Sequence, residues 1–143
     1  MIIDFYFIAQ KTTHWRQRVE SSDIAFFSSR AQKTTGRLGV VNRYDAFNKC
    51  IYVTRDNILD SMKEAGMSLI QCPGAKEGNG ETANVVINAE LVLLEELTPM
   101  DGMTKISFNG TPLFVQVPRA PQEVYDRVVE ARTSRRDLFV ASL

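Results

Sequence analysis

A chain of 143 residues with 44% hydrophobic and 24% charged residues has the length and balance of one folded domain, which excludes a disordered or fibrous polymer. Folding at that length hides roughly 70% of the surface that the unfolded chain exposes, enough for one real core. Formal net charge is zero, but the charges are segregated: residues 1–55 carry nine Lys/Arg against four Asp/Glu, residues 56–111 three against nine, and the remainder five against four. Such polarity implies an anionic partner for the first part or electrostatic pairing between copies of the chain.

The opening run Met1 to Ala9 is apolar, yet it holds Asp4, lacks a basic leader and stops at Gln10. It fits neither a signal peptide nor a membrane span, so a cytoplasmic protein, or one packed into a particle assembled there, is expected. Residues 2–9 are β-branched and aromatic and predict a strand covered on both faces. Lys11 to Ser22 is polar and ambiguous. Ile24 to Ser28 predicts a short strand, and Ala31 to Gly36 a polar loop. Leu38 to Arg43 and Lys49 to Thr54 predict two strands joined by a turn over Tyr44 to Asn48.

Asp56 opens a helix whose Ile58, Leu59, Met62 and Ala65 share one face, with Gly66 as the residue just past its end. Met67 to Cys72 predicts a strand, and Pro73 to Glu81, with three glycines, a flexible excursion. Val85 to Leu97 is read as strand with a bend at Asn88, although Ala89 to Glu96 also suits a helix. Asp101-Gly102 and Asn109-Gly110 punctuate two β runs, Thr104 to Phe108 and Leu113 to Val117, as hairpin turns do. Pro121 suits the first turn of a second helix running to Thr133, with Val124, Tyr125, Val128 and Ala131 as its apolar face. Leu138 to Leu143 predicts a final strand. The resulting class is α+β, mainly antiparallel β with two short helices, in a single domain over residues 1–143.

The two helices repeat at an offset of 66: Ile58, Leu59, Met62 and Ala65 recur as Val124, Tyr125, Val128 and Ala131, and Asp60 and Glu64 as Asp126 and Glu130. This suggests two strand-strand-helix-strand halves, about 22–72 and 83–143, sharing one core.

Residues 85–132 carry an Asn88-Ala89-Glu90-Leu91 step at a strand end, Thr98-Pro99 at a turn, the Asn109-Gly110 hairpin and a final helix containing Glu123-Val124. In these features the segment resembles the FlbD family of small flagellar proteins. Pro118-Arg119-Ala120 stands where that family has Glu-Ser, and some 84 residues precede the segment, so the flagellar role is not carried over. The resemblance implies a small, β-rich, non-enzymatic module.

No pattern in the sequence meets the requirements of a catalytic site. Gly74 to Thr82 imitates a phosphate-binding loop, but Glu81 stands where the lysine is needed and a strand, not a helix, follows. His14 is the only histidine, which excludes multi-histidine metal sites, and no Gly-x-Ser-x-Gly surrounds a serine. Glu95-Glu96, adjacent on a strand, would face opposite ways. No cofactor, metal or small-molecule motif emerges. Cys50 and Cys72 suit free buried thiols in a reducing compartment, while a bridge between them stays open.

Two functional readings remain. The first is a structural or adaptor subunit that works by protein-protein assembly as a homo-oligomer or larger complex, for example in a virus or phage particle. The second is binding of RNA or single-stranded DNA by the first third of the chain. There Lys11, Arg16, Arg18, Arg30, Lys33, Arg37 and Arg43 interleave with Trp15, Phe26, Phe27 and Tyr44, a mixture that can meet phosphates and stack on bases.

Overall fold

In a computed structural model, the described residues are 1–10, 13–29, 35–41, 51–52, 55–133 and 141–142. They form one eleven-stranded, mainly antiparallel sheet and two α-helices, the α+β class expected from the pattern of elements. The strands are β1 (Ile2–Gln10), β2 (Thr13–Glu20), β3 (Ile24–Ser29), β4 (Thr35–Val40), β5 (Ile51–Tyr52), β6 (Leu69–Glu77), β7 (Thr82–Asn88), β8 (Thr98–Met100), β9 (Met103–Ser107), β10 (Phe114–Val117) and β11 (Ala141–Ser142). The helices are α1 (Arg55–Glu64) and α2 (Pro121–Thr133). Strand order is β2-β1-β5-β4-β3-β7-β6-β10-β9-β8, with β11 parallel to the first part of β6.

The middle of the sheet is buried on both faces, because Ile24 to Phe27 of β3, Leu69 and Ile70 of β6 and Val85 to Ile87 of β7 are consecutive apolar residues rather than alternating ones. All six residues of β3 are buried. Phe26, Ile70, Val85 and Ile87 pack on one side with Val124, Val128 and Ala131 of α2. Phe27, Leu69 and Val86 pack on the other with Met62 of α1 and with Ile3, Phe5 and Val19 of the β1–β2 hairpin. The sheet therefore separates two cores, one beneath each helix.

Local chemistry explains where the elements stop. Gly66 lies just past α1 with its N–H on the Lys63 carbonyl, while the Met67 N–H reaches back to the Met62 carbonyl. These two bonds occupy carbonyls that a helix end otherwise leaves orphaned. Asp101 and Gly102 both have positive φ, 52° and 77°, as a two-residue hairpin turn between β8 and β9 requires. Pro121 heads α2, where a missing N–H costs nothing.

Several expectations are corrected. Pro73 to Glu81 is not a loop: β6 runs on to Glu77 through a bulge between Cys72 and Ala75, where Gly74 takes φ 73° and lets the strand absorb Pro73. Ala89 to Glu96 is neither strand nor α-helix but two 3-10 turns, 89–91 and 94–96. Asn88 marks the bend, since its side-chain carbonyl accepts the Glu90 N–H and its amide donates to the Ile24 carbonyl. Glu95 and Glu96 are both exposed in the second turn. The start of β1 alternates, with Ile3 and Phe5 buried and Ile2 and Asp4 exposed, so it is covered on one face there. Tyr125 leaves the buried stripe of α2 and is exposed. The ambiguous stretch before Ser22 is mostly β2, and strand character begins at Thr35, inside the expected polar loop. The turn over Tyr44 to Asn48, and the start of the last strand, lie outside the described residues. The offset of 66 holds for the buried pair Met62 and Val128, but strand order does not follow it: β4 adjoins β3, whereas β6 stands between β7 and β10.

Candidate functional site

The polar groups that the fold gathers sit at the seams of the sheet. Ser28 and Arg37 are cross-strand partners on β3 and β4, and the end of β6 brings Glu77 to both. Ser28 Oγ donates to Glu77 Oε2 at 2.8 Å, and Arg37 Nη1 lies 3.3 Å from Glu77 Oε1. The Glu77 side chain is 14% exposed and that of Arg37 46%, so the cluster sits at the rim of the core beneath α2. Chemically it is a carboxylate committed to a hydroxyl and a guanidinium. It holds no imidazole or amine to serve as a base for Ser28.

A second seam joins α2 to the 3-10 turns. Arg132 donates through Nε to the Ala89 carbonyl at 2.9 Å and through Nη2 to the Val92 carbonyl at 2.7 Å. Ser68 Oγ donates to Glu90 Oε1 at 3.2 Å, beside the same turn. Buried Gln116 on β10 donates to the Gly78 carbonyl at 2.8 Å and to Asn79 Oδ1 at 3.3 Å, fastening the β6–β7 turn. Cys72 is a free thiol buried in the α2-side core, and burial raises its pKa from 9.0 to about 12. A thiol so desolvated is a poor nucleophile at neutral pH. Cys50 lies outside the described residues.

An open groove of about 540 Å³ runs between the β8–β9 hairpin and the start of α2. Pro99, Met103, Pro118 and Pro121 line it, with Arg119 and Glu123 at one side, 3.9 Å apart. Thr104, in its floor, donates its hydroxyl to the Arg119 carbonyl. Among the described residues no group of three or more His, Cys, Asp or Glu is placed to hold a metal.

The residues expected to meet nucleic acid divide as follows. Lys11, Arg30, Lys33 and Arg43 lie outside the described residues, as does Tyr44. Trp15 and Arg16 belong to β2, at the sheet edge, opposite Phe7 and Tyr6. Arg18, also on β2, holds Asp4 at 3.2 Å, and Arg37 holds Glu77. Phe26 and Phe27 are buried, one in each core, and present no ring to a base. The structure thus brings Arg18 and Arg37 to carboxylates and not to each other. Sequence reasoning missed Glu77, which it placed in a loop, and Arg132, whose partners lie about forty residues upstream. No local signal marks either residue.

No protein-family model, no curated protein and no solved structure matches the chain.

Proposed function

We propose that this chain is a non-enzymatic structural or adaptor subunit that works by protein-protein assembly, as part of a virus or phage particle or of another multi-subunit machine. The observation that carries the reading is the use made of the polar groups described above. Ser28, Glu77, Asn88, Gln116 and Arg132 each hold another strand or turn in place. Cys72 is sealed in a core. The groups from which catalysis is usually built are spent on rigidity, which suits a building block. The segregated charge blocks add to this, because a basic first third and an acidic middle complement each other between copies.

Size-exclusion chromatography with light scattering, at low and high salt, tests the reading. An oligomer that dissociates on dilution or in salt is expected, and a monomer at every concentration would count against self-assembly. Nucleic-acid binding is the competing outcome, and the carboxylate partners of Arg18 and Arg37 weigh against it. Fluorescence anisotropy with single-stranded and duplex oligonucleotides should therefore detect no binding. Tight binding that weakens steeply with salt would replace the assembly reading with the phosphate-contact one.

A further inference from the structure

The run of strands from β2 to β8 has two ends among the described residues, with β11 beside β6 off this run, and the two ends differ. At one end β8 is three residues long. Its turn makes Met100 and Met103 the first hydrogen-bonded pair, so Pro99, opposite Thr104, is the residue whose backbone faces away from β9. Proline has no N–H, so that end offers no donor to an incoming strand. The other end is β2, eight residues long, whose one strand neighbour among the described residues is β1.

The polarity of that edge follows from a single bond. The Ser21 N–H donates to the Met1 carbonyl, which makes Met1 and Ser21 a hydrogen-bonded pair. Alternation along the register then gives Ile3–Val19 and Phe5–Gln17 as hydrogen-bonded pairs and leaves Ile2–Glu20, Asp4–Arg18 and Tyr6–Arg16 as non-bonded ones. The backbone groups of Arg16, Arg18 and Glu20 therefore point outward, away from β1.

We propose that a second copy of this chain occupies this edge, pairing β2 with β2 in antiparallel orientation about a two-fold axis at Arg18. This interface rests on the assembly reading and gives it a surface. A two-fold axis needs antiparallel strands, and outward-facing residues must meet outward-facing residues, so the register can shift only in certain steps. An axis at Gln17 sets Arg16 against Arg18 of the second copy twice, like charge on like. The axis at Arg18 sets Arg16 against Glu20 of the second copy twice and Arg18 against itself, with each Arg18 already held by its own Asp4 at 3.2 Å. Opposite charges directly across a strand pair favour the second register. One strand pair is small beside the roughly 1,200 Å² of a stable interface, so the dimer is a reversible one.

Charge exchange tests the register. Arg16→Glu and Glu20→Arg should each weaken dimerisation at least tenfold by sedimentation equilibrium, and the double exchange should restore it. With the axis at Gln17, Arg16→Glu would instead strengthen the dimer, overturning the register proposed. Because Glu20 also holds the terminal amine at 2.6 Å, circular dichroism checks that each variant is folded. Amide exchange on the unaltered protein supplies an independent readout. The amides of Arg16, Arg18 and Glu20 should gain protection with concentration, while those of Gln17 and Val19, bonded to β1, should not change. An oligomer in which the three outward amides exchange freely at every concentration would overturn this interface and leave the assembly reading standing. A protein monomeric at millimolar concentration would overturn both.

Discussion

Phe26 and Gly39 share one volume, since a Cβ added at Gly39 would fall onto the Phe26 ring, and Gly36 stands in the same relation to Phe27. The two glycines of β4 let one aromatic ring settle into each core. Gly39→Ala should therefore destabilise the fold by about 1–3 kcal/mol through overpacking, measured by denaturant midpoint. Cys72 makes a second residue-scale prediction. Its folded pKa of about 12 lies above the ordinary 9.0, so the folded state keeps the proton longer than the unfolded chain does. Stability tied to the thiol is complete below pH 9 and falls as pH rises toward 12. Cys72→Ala should flatten that part of the stability-pH curve, and the native thiol should react with Ellman's reagent only as fast as the core opens. The burial of Cys72 follows from its residue type and is legible in sequence. The glycine-ring contacts are not, because they depend on a cross-strand register that no local pattern encodes.

At the scale of elements, α2 is held by its apolar stripe and by one side chain. Val124 and Val128 fill the core beneath it, and Arg132 closes its last turn onto the 3-10 segment through two carbonyls. Arg132→Ala should cost about 1.5–3 kcal/mol, the range for bonds with a charged donor, and Arg132→Lys should recover part of it. Amide exchange along α2 should rise first near Thr133. The helices, the Asp101-Gly102 turn and the stop at Gly66 were legible because each depends on residues within a few positions of one another. Residues 89–97 were not. Their apolar content reads as strand and their spacing as helix, while the outcome is fixed by Asn88, which turns the chain, and by the Ala89 and Val92 carbonyls, which face Arg132.

For the whole molecule, the link between Ser28 and Glu77 spans 49 residues and ties β3 to β6 across β7. Glu77→Ala leaves a buried hydroxyl without its acceptor and should cost about 1–2 kcal/mol, with little salt dependence because the hydroxyl supplies most of the loss. The α+β class was readable from the order of elements, but the two-sided burial of the central strands was only hinted at by the unbroken apolar run of β3. The candidate site was least legible, because its members meet through sheet topology alone.

Pro99 has a meaning beyond its own strand. In the language of polymer chemistry, a unit that adds others at both ends grows into a filament, whereas a unit with a single reactive end can only cap another of its kind. Among the described residues the run from β2 to β8 is closed to donors at β8 and free at β2, and the β2 pairing proposed above places the chain in the second class. If β2 pairs as proposed above, growth by strand addition at that edge stops at a pair, and the pair exposes the two β8 ends, where an incoming strand finds no hydrogen to accept.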